Sequence, residues 1–429
     1  RGSEGLSMLS LHINLQPYKG MIDYYETKSQ PITKVMVWQA YKKVKQNRGS
    51  AGIDNMSLSY LEQNKNRELY KLWNRLTSGS YFPESVKQVA ISKKGGGKRK
   101  LGIPTVLDRV AQQVVKHHLE RIVEPKFHDS SFGYRPKRNA HQAVELANSN
   151  TFRNNFAIDL DIKGFFDNID HELMMKAVEH YCQEKWILMY VKRWLKAGVL
   201  EKYGIQKASL IGTPQGGVIS PLLANIFLHV VFDKWMTKYH PEKPFVRYAD
   251  DIIVHCKTER QSLFMLRQIN SRMQQCKLQL HPKKTKIVNI RGVSEKKYPK
   301  GYNFLGFTIR PQPYKPQHRS KVMAIPSIFV SRQSKSAVLA KFASEQIHKK
   351  RKTLEEVAKD LNPMIRGTIN YFHKFRKSDM REVWQQLNER LLKWVKWEKG
   401  LYKKASIRYL KTKYKEKPNL FYHWLSVCP

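Results

Sequence analysis

The chain has 429 residues, with 78 Lys and Arg against 35 Asp and Glu, a formal charge of +43 at pH 7. Such a charge repels itself until a polyanion neutralises it, and the 21 Tyr, 18 Phe and 9 Trp spread among the basic residues suit grooves that bind and stack nucleic acid. No apolar run approaches the ~20 residues of a transmembrane helix and no N-terminal signal peptide is visible, which sets aside the rival reading of an anionic-membrane protein.

Residues 1–29 form an extension of no assignable role, opening on Arg-Gly-Ser rather than Met, as expected either of added residues or of a chain that follows a removed segment. Helical spacing follows over 31–47 (Val35, Val37, Trp38, Tyr41, Val44), stopped at Asn47-Arg48-Gly49, and again over 57–77. Val86 to Ile91 reads as a strand, and Lys93-Lys94-Gly95-Gly96-Gly97-Lys98-Arg99-Lys100 as the cationic tip of a hairpin. Its glycines let backbone N–H groups approach a phosphate, although the same residues also suit a plain flexible turn.

Helices are predicted over 105–124 and 139–149, then a strand over 156–162 whose alternation puts Asp159 and Asp161 on one face. Helices over 170–182 and 185–197 precede Gly212-Thr213-Pro214-Gln215-Gly216-Gly217, and a long helix starts near Ser220-Pro221. Phe245 to Val254 reads as a hairpin with Ala249-Asp250-Asp251 as its turn, followed by a helix over 259–275 and strands over 285–290 and 303–309. After residue 330 apolar stripes such as Leu354, Val357, Leu361, Ile365, Ile369 mark a helical bundle; residues 331–420 hold 24 Lys and Arg against 9 Asp and Glu.

Asp250 and Asp251 are the candidate chemistry. A turn can aim adjacent acids outward, and with a third acid from the strand ending at Asp161 they form a carboxylate set suited to hard divalent cations. Two Mg2+ ions about 3.5–4 Å apart on such a set activate a 3′-hydroxyl and stabilise a leaving pyrophosphate. A solvated turn is the bland alternative for Asp250-Asp251 alone. The four cysteines, Cys182, Cys256, Cys276 and Cys428, are scattered without a C-x-x-C pair, which supports neither zinc nor disulfides and points to a reducing cytoplasm.

Several ordered motifs extend this reading. Asp159-Leu160-Asp161-Ile162-Lys163-Gly164-Phe165-Phe166-Asp167, Gly212 to Gly217, Tyr248-Ala249-Asp250-Asp251 and Leu305-Gly306-Phe307 together resemble the reverse transcriptases encoded by bacterial group II introns. So do Leu101-Gly102-Ile103-Pro104-Thr105 through Asp108-Arg109, and Ser131-Phe132-Gly133-Tyr134-Arg135-Pro136. Arg48 to Asp54 resembles the family's N-terminal motif, and Ile365 to Phe372 with Asn419 to Trp424 its maturase, or thumb, domain.

The resemblance implies an α+β right-hand polymerase: fingers and palm with an antiparallel sheet over 30–330, then an α-helical thumb/maturase domain over 331–429. It implies RNA-templated DNA synthesis from dNTPs with two Mg2+ ions, on an RNA template and DNA primer, and binding of group II intron RNA for splicing and retrohoming. The metal-binding acids then match Asp161, Asp250 and Asp251, with Asp159 a structural neighbour. Phe165 matches a bulky residue set against the sugar, where a ring excludes a 2′-hydroxyl; ordinary core is its other reading. Lys93 and Arg99 would clamp the triphosphate, Gln215 would lie beside the nascent base pair, and Lys284 would assist pyrophosphate departure. Arg135 would hold the template or frame the nucleotide pocket. No His-Asn-His or zinc-cysteine nuclease motif follows the thumb, so priming from a nascent strand or an existing nick is expected. Alternatives are a non-enzymatic RNA-binding splicing factor, a reverse transcriptase recruited to phage defence or repair, and RNA-templated RNA synthesis.

Overall fold

The computed structural model describes residues 30–92, 98–200, 206–207, 211–213, 216–290, 297–315, 323–349 and 351–429. The strands in chain order are β1 (Val86–Ser92), β2 (Lys98–Ile103), β3 (Phe156–Leu160), β4 (Val199–Leu200), β5 (Gln206–Lys207), β6 (Phe245–Tyr248), β7 (Asp251–Cys256), β8 (Lys286–Asn289), β9 (Tyr302–Phe304), β10 (Phe307–Tyr314) and β11 (Met323–Val330). The chain divides into two compact units, one running to Lys126 and resuming over Phe166–Phe227, the other made of Phe127–Phe165 and Leu228–Pro429.

In the first unit β1 and β2 pair antiparallel from Lys87↔Ile103 to Ser92↔Lys98, while β4 joins β1 in parallel and carries β5 on its far side. Helix Lys34–Asn47 packs on Val106–Val123, and the predicted helix over 57–77 is two helices, Leu58–Gln63 and Lys65–Thr77. Asn64 breaks it, with φ −108° and ψ 15°, outside the helical basin. The Arg48–Asp54 segment lies against the turn after β2: a Cβ on Gly52 would fall 2.6 Å from Thr105 Cα, so only glycine fits this close approach. Behind that turn the buried Asp108 carboxylate accepts from Tyr81 Oη (2.7 Å), Trp194 Nε1 (2.7 Å) and Gln112 Nε2 (2.9 Å).

The second unit is built on an antiparallel sheet of order β6-β7-β3-β8. Its strands are short apolar runs; Ala157, Val246, Ile253 and Val288 share one face and pack with Ala143, Val144 and Ala147 of helix Ala140–Arg153. Asn139 starts that helix with a capping box to Gln142. Helix Glu259–Gln275 contacts β3 and β7. The expected strand over 303–309 proves to be two, β9 and β10, joined by Leu305 and Gly306 at φ 50° and 83°, the conformation of a type I′ hairpin. β11, which the sequence reading did not anticipate, pairs with all of β10.

The second compact unit continues past residue 330 to Pro429. Helices Arg332–Ser344, Leu354–Phe372, Arg381–Lys399 and Lys403–Glu416 lie in the same unit as the sheet. A single hydrophobic cluster runs from Ala157 and Val246 through Phe304 and Phe307 to Leu361, Trp384, Trp394 and Trp424. Most of the stripe read as bundle core is buried: Leu354, Val357, Leu361 and Ile365 are each at most 2% exposed, while Ile369 is half-buried at the rim of the same cluster. Among the described residues no helix is long and apolar enough to cross a membrane, and no disulfide is formed, with Cys182, Cys256 and Cys276 buried as free thiols.

Candidate active site

Register brings the acids of the second unit together. β3 pairs with β7 from Phe156↔Cys256 to Leu160↔Ile252; Asp161 and Asp251 are the next residues on the two chains, near enough for the Asp161 charge to act on the Asp251 carboxyl. β6 and β7 close at Tyr248↔Asp251, so the hairpin turn is Ala249-Asp250 and Asp251 is already the first residue of β7. Ala249 sits at φ 56°, a left-handed conformation unusual for a side chain with a Cβ. The turn is pressed from outside as well, since a Cβ on Gly133 would fall 2.4 Å from Ala249 N.

The backbone of Asp161 is fixed by the segment before β8. Its carbonyl accepts from His281 N at 2.7 Å, Ile162 bridges Leu280, and Thr285 Oγ1 lies 3.3 Å from both its N and its O. Its carboxylate takes the Lys284 ammonium, Nζ to Oδ2 3.1 Å. On the same face Asp159 looks across to Lys286 at 4.0 Å.

The electrostatics are those of a crowded acid patch. Burial, and then the charges of Asp250, Asp159 and Asp161, push the Asp251 carboxyl up to about 7, with Lys284 opposing. Asp251 keeps a face open to solvent, which softens the burial part of that shift; the neighbouring negative charges set its direction. Burial likewise pushes Asp159 up to about 6, with Lys286 pulling down and Asp161 pushing up. Among the described residues no three His, Cys, Asp or Glu side chains already form a metal cage. The donors on this edge are nonetheless all hard carboxylate oxygens under mutual repulsion, the chemistry that a hard divalent cation satisfies.

A family model described as "Reverse transcriptase (RNA-dependent DNA polymerase)" matches residues 91–309, half of the chain. The chain belongs to the reverse transcriptase family. A second model, "Group II intron, maturase-specific domain", matches residues 339–417. The group II intron-encoded protein LtrA of Lactococcus lactis subsp. cremoris is 36% identical over 213 residues, 48% of this chain and 35% of LtrA. Protein YkfC of Escherichia coli (strain K12) is 30% identical over 292 residues, 59% of this chain and 74% of YkfC. Nuclear intron maturase 4, mitochondrial, of Arabidopsis thaliana is 26% identical over 176 residues, 41% of this chain and 22% of that protein. The chain thus spans about a third of the length of LtrA.

The other residues singled out in the sequence fall at distinct places in the fold. Lys284 is exposed beside Asp161, as above. Phe165 opens a short 3-10 turn, Phe165–Asp167, and is 2% exposed, so its ring is packed rather than displayed. Arg135, expected on template or nucleotide, is buried; its Nη1 donates to the carbonyls of His128 and Ser131, both at 2.7 Å, and its guanidinium lies 5.2 Å from the Phe127 ring centroid. These contacts brace its own loop. Arg99 lies in β2; Lys93 and Gln215 lie outside the described residues.

The sequence reading passed over a buried ion pair beneath the turn. Arg247, on β6, and Asp233 are both fully buried and pair bidentately, Nε–Oδ1 2.7 Å and Nη2–Oδ2 2.5 Å. Asp233 ends a π-helical turn, His229–Asp233, that also brings His229 Nδ1 to 3.2 Å from Asp233 Oδ2. The available signal was an Arg inside the apolar run of β6 and an Asp inside His229-Val230-Val231-Phe232-Asp233: a charge in a buried stretch needs a partner.

Proposed function

We propose that this chain is an RNA-directed DNA polymerase that extends a primer on an RNA template with dNTPs. The observation that carries the reading is the meeting of Asp161 with Asp250-Asp251 at one end of the antiparallel sheet, with the carboxyl of Asp251 pushed up by burial and by its acidic neighbours. Asp161, Asp250 and Asp251 would hold two Mg2+ ions, which supply activation of the primer 3′-hydroxyl and neutralisation of the leaving pyrophosphate. The chain's own residues fix the rest. The 280–285 segment holds Asp161 in place, and Lys284, paired with Asp161 at 3.1 Å, would offer positive charge to the departing pyrophosphate. By family resemblance Lys93 and Arg99 clamp the triphosphate, Gln215 faces the nascent pair, and Phe165 backs the sugar.

Residues 30–330 serve as fingers and palm in this proposal, and 331–429 as thumb and maturase. The maturase-specific match and the basic helical surface support binding of group II intron RNA, in splicing and retrohoming, in the cytoplasm. The test is primer extension on an RNA template with dNTPs and Mg2+. The wild-type chain is expected to extend, and Asp250→Ala to lose at least about 10²-fold in rate. Equal inactivity of both proteins sinks the enzyme reading and leaves an RNA-binding splicing factor.

A further inference from the structure

The acids at the sheet edge depend on a turn whose conformation is unfavourable by itself: Ala249 stands at φ 56°. Something must hold it there. Arg247 is two residues before it, and side chains alternate along β6, so the Arg247 side chain lies on the face opposite to the one shared by Asp161 and Asp251. From that face its Nη1 donates to the Ala249 carbonyl at 3.2 Å, while its other nitrogens are taken by Asp233. The main chain of Arg247 is fixed too: its N donates to Ser130 O and its O accepts from Phe132 N, both at 2.9 Å.

A fully buried ion pair is weak evidence for stability, because loss of hydration offsets most of the attraction, and apolar replacements of similar volume are often neutral. Its clearest use is to fix one conformation. We propose that Arg247 is a positioning residue: clamped by Asp233, it pins the Ala249 carbonyl and so aims the Asp250 and Asp251 carboxylates for metal binding. The proposal rests on the polymerase reading for its catalytic consequence, not for its geometry.

The experiment compares the full-length wild type with the apolar double variant Asp233→Leu/Arg247→Met, which removes both charges, and with Arg247→Lys, which keeps one cation but has a single nitrogen head. Readouts are the thermal unfolding transition, primer–template affinity, steady-state kcat and KM for dNTP, and Mn2+ binding to the nucleotide-free protein by EPR. For a folded double variant, kcat is expected to fall about tenfold or more, since a small misplacement of reacting groups costs that much. Mn2+ binding weakens in parallel, while KM and primer–template affinity stay within about threefold, the mark of an effect confined to catalytic positioning. Unchanged kcat and Mn2+ binding in that variant overturn the proposal.

Should the double variant not fold, Arg247→Lys decides on the same readouts: loss of kcat and Mn2+ affinity with an intact transition supports the proposal, and retention overturns it. Failure of both to fold also overturns it, because the pair is then needed for the fold rather than for the turn. A wild type that binds Mn2+ but extends no primer sinks the polymerase reading, and the Mn2+ arm still judges the positioning role.

Discussion

Among the described residues each unit buries one aspartate, and the two are held in opposite ways. Asp108 in the first unit receives only neutral donors, from Tyr81, Trp194 and Gln112; burial dominates and its carboxyl is raised. Asp233 in the second is just as deep; burial works to raise it, but the Arg247 charge and the His229 hydrogen bond outweigh that, and its carboxyl is lowered. A carboxylate can therefore be buried either by dispersing its charge over several dipoles or by matching it with one cation. The first arrangement tolerates protonation, whereas the second depends on the charge being present.

The largest test of that contrast removes the charge at Asp233. Asp233→Asn leaves Arg247 buried without its anion, and chemical denaturation at pH 7 is expected to show a loss of about 3–5 kcal/mol. Because the folded carboxyl lies below its unfolded value, its contribution is present above that unfolded value and is lost as pH falls through the folded one. The gap between wild type and variant should therefore close in acid; a gap that holds constant down to the acid transition breaks the contrast.

Asp108→Asn is expected to cost less, about 1–2 kcal/mol, since the amide keeps one acceptor for the three donors. Here the folded carboxyl lies above its unfolded value, so the wild type loses stability as pH rises from the unfolded value through the folded one. The variant's deficit should shrink over that rise, the reverse of the Asp233 pattern, and denaturation midpoints at several pH values read it directly.

The smallest effect sharpens the comparison with the open acids. Asp251, raised to about 7 from the ordinary carboxylate range, burdens the metal-free fold increasingly as pH climbs from that range to 7. Asp251→Asn should raise the metal-free melting temperature by about 2 °C or more at pH 8 and by less at pH 5. An equal change at both pH values removes the acid patch as the cause.

What was legible in the sequence was whatever a local pattern dictates. The Asp250-Asp251 hairpin, the strand ending at Asp161 and the capped helices follow from alternation, turn chemistry and helical spacing, and the acids were joined on paper by a chemistry that needs all three. Pairings across long separations were not legible. Nothing in the order of residues says that Arg247 reaches Asp233 or that a π-helical turn puts His229 beside it, and a guanidinium satisfied by two loop carbonyls, as at Arg135, has no sequence signature. Asn64 broke a helix whose apolar pattern continued across it, since period alone does not report one residue leaving the helical basin. The boundary near residue 330 was drawn from a change in composition, whereas the core that crosses it is a matter of packing.

That shared core has a hereditary consequence. The Leu305-Gly306 tip is clasped from beyond the boundary, its carbonyls accepting from Tyr371 Oη (2.8 Å) and Ser334 Oγ (2.9 Å), and Phe307 stacks on Tyr371. A lineage that loses the use of its basic helices cannot simply shed them and keep a working sheet. Mutational decay on either side of residue 330 is felt on both, which ties the fate of the acid-bearing sheet to that of the basic helices beyond it.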